Sequence, residues 1–91
     1  MKNVDDVLAL FEDYVDDADI MKYNLIIEVT HKIMEERISQ NMSQKEFAEK
    51  LGISQSMISK IESEQYNFTL EMLAKIFTKL DYTVELRIDK I

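Results

Sequence analysis

Gln55, Ser56, Ser59, Lys60 and Ser63 recur on one side of a short segment whose other side is Met57, Ile58, Ile61 and Glu62. At about 100° per residue, the five polar side chains would share an arc of about 140° on a helix. They offer amide, hydroxyl and ammonium groups, which can match the donor and acceptor patterns of base edges in a major groove. Nothing else in the 91 residues assembles catalytic chemistry: there is no nucleophile–base spacing, no phosphate-cradling glycine loop and no cysteine. His31 is the only histidine, so a metal would have to rest on carboxylates alone, and the residue reads as a helix-surface or packing position. The expectation is a binding protein and not an enzyme, with no catalytic residues, metal or cofactor.

Two short helices hinged at Gly52 would position that polar arc. Ser43 followed by Glu46 is a capping box that satisfies backbone donors at the start of the first helix. Phe47, Ala48 and Leu51 form its apolar face, and Ala48 is small enough for a second helix to cross steeply over a short turn. Gly52 is the only glycine in the chain, placed where a left-handed residue ends a helix. Ser54 is the expected N-cap of the second helix, with residues 55–63 as its body. A plain helical hairpin with a solvated face is the alternative. Cap, small residue, hinge glycine and inward hydrophobes all favour the reader.

These residues resemble the helix-turn-helix of the phage repressor and Cro class, the XRE-type domain, and the resemblance covers residues 37–80. It implies that Gln44 hydrogen-bonds a phosphate from the start of the first helix of the pair, and that Gln55, Ser56, Ser59 and Lys60 face bases or phosphates. It also implies that Arg37 pairs with Glu62 inside the fold, which would explain a carboxylate on the inward arc. Three positions depart from the family pattern. Glu64 stands where glycine is usual, Gln65 where a basic residue is common, and Phe68 where proline is common. The first two make the phosphate-facing loop more acidic and less basic.

Net charge is −7, which opposes the phosphate attraction that dominates nucleic-acid affinity. Its distribution is uneven: residues 1–20 hold seven acids against Lys2, and residues 21–91 hold ten bases against eleven acids. A balanced reader can still bind DNA if its bases cluster at the contact edge and a dimer doubles them. Hydrophobic content of 46% suits one compact core in a chain of this length. No apolar run approaches membrane-spanning length, and Asp5 and Asp6 interrupt what would be a signal peptide's apolar stretch. With no cysteine, a reducing cytoplasm is the expected setting, with no membrane partner; the resemblance implies a bacterial one, at the nucleoid when bound to DNA.

The fold class expected is mainly α: a five-helix, phage-repressor-like helix-turn-helix domain with one C-terminal β-strand paired across a dimer. Its divisions are an acidic amphipathic helix in residues 1–18, the DNA-binding domain in 19–81 and a dimerising strand in 82–91. Val4, Val7, Leu8, Phe11, Tyr14 and Val15 make an apolar stripe over residues 4–15. One of Asp16, Asp17 and Asp19 can cap the next helix, over about 20–40, where Met21, Leu25, Val29 and Ile33 stack every fourth residue. Asn41 tolerates a left-handed turn at its end. Thr69 caps a last helix, about 70–80, whose Leu70, Leu73, Phe77 and Leu80 complete the core. Methionines 21, 34, 42, 57 and 72 read as core filler. From Tyr82 to Ile88 the chain alternates, with Tyr82, Val84, Leu86 and Ile88 on one face and Thr83, Glu85 and Arg87 on the other. A lone strand leaves both edges unpaired, so a second copy is the expected partner; a frayed terminus is the alternative.

A helix-turn-helix with a helical leader and a terminal strand resembles the HigA-type antitoxins of bacterial toxin–antitoxin modules. Residues Tyr66-Asn67-Phe68-Thr69-Leu70 are similar to that family's Tyr-Asn-Pro-Thr-Leu run. The resemblance implies double-stranded operator DNA as one partner, a HigB-like ribonuclease toxin as another, and repression of the chain's own operon. Such a toxin presents a basic groove, which the acidic leader could cover with Val7, Leu8, Phe11, Tyr14 and Val15 as anchor. The leader could equally pack on its own domain. Other readings are a stand-alone repressor of phage or mobile-element type, and an interaction module with weak or no DNA binding.

Overall fold

The computed structural model describes residues 16–91, which form four helices: α1 (Asp17–Ser39), α2 (Gln44–Leu51), α3 (Gln55–Glu62) and α4 (Leu70–Lys79). The expected helix over 4–15, with Val7, Leu8, Phe11, Tyr14 and Val15, lies outside the described residues. Each of the four helices starts at a side-chain cap. Asp16 accepts from the Asp19 amide at 2.8 Å in a capping box, Ser43 and Glu46 form a second, and Ser54 and Thr69 accept from Met57 and Met72. The Ser43 backbone and hydroxyl hydrogen bonds hold the Glu46 carboxyl below its ordinary pKa, because they favour the charged form. Because α1 begins at Asp17, the expected division at residue 18 falls inside its first turn.

The helices end on left-handed residues where the sequence permits it. Asn41 has φ 53° after α1, Gly52 has φ 70° after α2 and Asp81 has φ 63° after α4. Gly52 has a second reason to lack a side chain, since a Cβ there would lie 2.7 Å from the Lys79 ammonium. That ammonium sits at the C-terminal end of α2, where positive charge complements the helix dipole. The tip of a lysine can move aside, so the backbone sets the cost. Gly52→Ala is expected to lose roughly 1–2 kcal/mol of stability and Gly52→Asn less, measured by urea unfolding.

One core joins all four helices: Ile33 from α1, Phe47, Ala48 and Leu51 from α2, Ile58 and Ile61 from α3, and Ile76 and Phe77 from α4. Leu80 closes it from the residue after α4. The buried Thr30 hydroxyl donates to the Ile61 carbonyl at 3.3 Å, fastening α1 to the end of α3. Only the C-terminal half of α1 takes part in this core. Met21 and Leu25, expected to stack on it, are exposed, because α4 stands off from their end of α1 across an open groove. Leu70, expected in the core, is 70% exposed; α4 turns Ile76 inward and leaves its first residue at the rim.

The single chain carries no C-terminal strand among the described residues. From Tyr82 to Ile91 the described chain has no helix, turn or strand pairing, and no residue beyond Tyr82 makes a backbone hydrogen bond among the described residues. A strand is defined by its ladder, and the rest of the described chain is helical, so nothing within it can supply one. Tyr82 anchors the segment. Its amide donates to the Phe77 carbonyl at 2.9 Å, its ring meets Phe77 edge-on, and its hydroxyl donates to Glu36, which raises the tyrosine's pKa.

Candidate nucleic-acid interface

Helix α3 is amphipathic over only eight residues, so its orientation depends on what grips its inner face. Ile58 and Ile61 are fully buried, and Met57 is half-buried beside them. Glu62 ends the helix on the same inner side. Its carboxylate accepts two hydrogen bonds of 2.8 Å, from Arg37 Nε and Arg37 Nη2, while Arg37 Nη1 donates to the Met42 carbonyl at 3.0 Å. The Glu62 side chain is 7% exposed and that of Arg37 20%. One guanidinium thus ties together the end of α1, the turn into α2 and the end of α3.

With the inner face held this way, Gln55, Ser56, Ser59, Lys60 and Ser63 are all exposed. Gln44 is half-buried at the first position of α2, and α2 packs closely on α3. The Ser56 hydroxyl lies 3.1 Å from that of the Ser54 cap, and Ser63 donates to the Lys60 carbonyl at 3.0 Å. Gln55, Ser59 and Lys60 make no side-chain hydrogen bond among the described residues, so their polar groups face solvent unspent.

The charges around this face are sparse. Lys60 has no carboxylate within 4 Å among the described residues, and neither does Lys45, which follows Gln44 and is exposed. Lys45 lies outside the polar arc of the second helix, and in the sequence only its position beside Gln44 flags it. Lys50 donates to Gln40. At the far end of α3, Glu64 has φ 63°, the left-handed conformation that explains why glycine is usual there. His31 Nε2 lies 3.3 Å from the Glu64 carboxylate, an arrangement between α1 and this turn that spacing in the sequence does not reveal. Phe68 stacks edge-on against Tyr66 with ring centroids 4.9 Å apart.

A capped pair of short helices, a left-handed glycine between them and an exposed polar face on the second define a helix-turn-helix domain. The described residues contain no group of His, Cys, Asp and Glu side chains fit to hold a metal, and no described helix is long and apolar enough to cross a membrane. A helix-turn-helix family model matches residues 33–86, more than half of the chain, and the chain belongs to that family, the XRE-type DNA-binding regulatory domains. The match begins at buried Ile33 in α1 and runs past α4 into the C-terminal segment. Comparison with curated proteins and with solved structures finds no match.

Proposed function

We propose that the chain is a transcriptional autorepressor and antitoxin that binds double-stranded operator DNA as a homodimer. Gln55, Ser56, Ser59 and Lys60 read or contact the major groove, and Gln44 holds a phosphate from the start of α2. The observation that carries the DNA reading is the solvent-facing polar surface of α3, gripped from behind by the Arg37–Glu62 pair. The dimer pairs through the segment carrying Tyr82, Val84, Leu86 and Ile88, which doubles the few bases available and sets two half-sites about 34 Å apart. The acidic excess in residues 1–20 supports a basic ribonuclease toxin as the second partner, with Val7, Leu8, Phe11, Tyr14 and Val15 as anchor.

Glu64 favours a second reading, an interaction module with weak DNA binding, because it brings a carboxylate to the turn beside the phosphate track. Titration of the full chain with duplex from its own promoter at low salt separates the two. Saturable binding that survives excess unrelated duplex is expected, with steep weakening as salt rises. No preference over unrelated duplex would replace the repressor with the interaction module. The antitoxin half has its own test: the product of an adjacent small reading frame should copurify with the chain, and a lone gene with no such product would leave a stand-alone repressor.

A further inference from the structure

The segment 82–91 and the groove beside it leave apolar side chains and backbone groups uncovered among the described residues. An open groove of about 900 Å³ runs between the N-terminal half of α1 and α4, lined by Met21, Leu25, Val29, Leu70 and Leu73, with Val84 and Leu86 along its edge. Val84, Leu86 and Ile88 are exposed, Ile88 to 90%. The backbone beside them has no hydrogen-bond partner among the described residues. An occupant must therefore bring both backbone groups in an extended run and apolar side chains at every second residue. This segment has both. Arg87 Nε donates to Asp89 at 2.8 Å, so these residues two apart share one side, as alternate residues of an extended chain do.

We propose that two copies pair antiparallel across a two-fold axis at Leu86. This rests on the dimeric reading above and narrows it to one alignment. About that axis Leu86 opposes Leu86, Val84 opposes the second copy's Ile88, and Glu85 opposes the second copy's Arg87, twice over. The neighbouring choices fail for stated reasons. A one-residue slip sets apolar side chains against polar ones. An axis at Glu85 sets that carboxylate against itself, and one at Arg87 sets guanidinium against guanidinium and Glu85 against Asp89. An axis at Val84 confines the ladder to 82–86, because Asp81 is left-handed, and leaves Ile88 outside. An axis at Ile88 sets Lys90 against Leu86. Among these choices only the Leu86 axis covers all three apolar residues without setting like charges against each other, and it brings the second copy's Ile88 over the groove beside Val84.

The chain has no cysteine, so single cysteines report the register directly. Opposed residues lie about 4.5–5.5 Å apart between Cα atoms, within disulfide reach, whereas residues offset by two are about 7–8 Å apart. Under mild oxidation of the full chain, Leu86→Cys should give a covalent dimer while Glu85→Cys and Arg87→Cys do not. In analytical ultracentrifugation, Glu85→Arg and Arg87→Glu should each weaken the dimer roughly tenfold, and an equimolar mixture of the two should restore it. All these positions are exposed, so circular dichroism should show unchanged helix content. Dimers crosslinked through 85 or 87, a monomeric parent chain, or a mixture no tighter than either variant would overturn the proposal. None of these measurements involves DNA, so loss of the repressor reading would leave them unaffected.

Discussion

Replacing Glu62 with alanine is expected to cost about 3–5 kcal/mol of folding stability, a large fraction of what a small domain has. The loss exceeds that of two hydrogen bonds because the Arg37 guanidinium would stay in a pocket only 20% open to solvent with its counter-charge gone. Arg37→Ala should cost a comparable amount and also release the Met42 carbonyl, which accepts from Nη1 at 3.0 Å. The paired change Arg37→Met with Glu62→Leu should recover most of the loss, since it removes both charges and retains apolar volume. Urea unfolding followed by circular dichroism measures all three variants. A Glu62→Ala cost below about 1 kcal/mol, the level of an exposed ion pair, would show that water reaches the site in solution. The consequence extends to DNA, because Arg37 fixes the C-terminal end of α3. A variant that remains folded but lacks the pair should bind every duplex more weakly.

What was legible in the sequence was mostly local. Ser43, Ser54 and Thr69 declare their helices through hydrogen bonds spanning three residues, and Asn41 and Gly52 declare the turns through backbone conformation; all five stand where these rules put them. The polar arc of α3 follows from the helical period alone. Periodicity was less informative about burial. Met21, Leu25 and Leu70 have core-like spacing yet are exposed, because an apolar stripe states that a face is to be covered and not by what. Ile26 and Thr30, one position along the same helix, share the buried face with Ile33. The alternation from Tyr82 to Ile88 likewise describes a face without supplying the second strand. Contacts between distant residues were the least legible: the His31–Glu64 approach and the Tyr82–Glu36 hydrogen bond depend on how α1 packs. The Arg37–Glu62 pair came from family resemblance, not from spacing.

Gln55→Ala should weaken operator binding by roughly 1–3 kcal/mol and relax base choice at a single position in each half-site. Gln55 is the first residue of α3, exposed and free of intramolecular side-chain hydrogen bonds among the described residues. Its amide can therefore place a donor and an acceptor together on one base, the geometry that suits the N6 and N7 edge of adenine. Truncation removes both bonds at that base and leaves the others intact, so discrimination falls where contact is lost. The protein itself should be little affected, because the helix cap belongs to Ser54. Gln44→Ala should instead weaken all sequences about equally. Lys60→Ala, if the ammonium meets a phosphate, should lower the salt slope by about one. Fluorescence anisotropy against promoter duplexes carrying single base-pair changes, repeated at several salt concentrations, resolves these three patterns. If Gln55→Ala lowered affinity for every duplex by the same factor, Gln55 would be a phosphate contact and the reading head would have to lie further along α3, at Ser59 and Lys60.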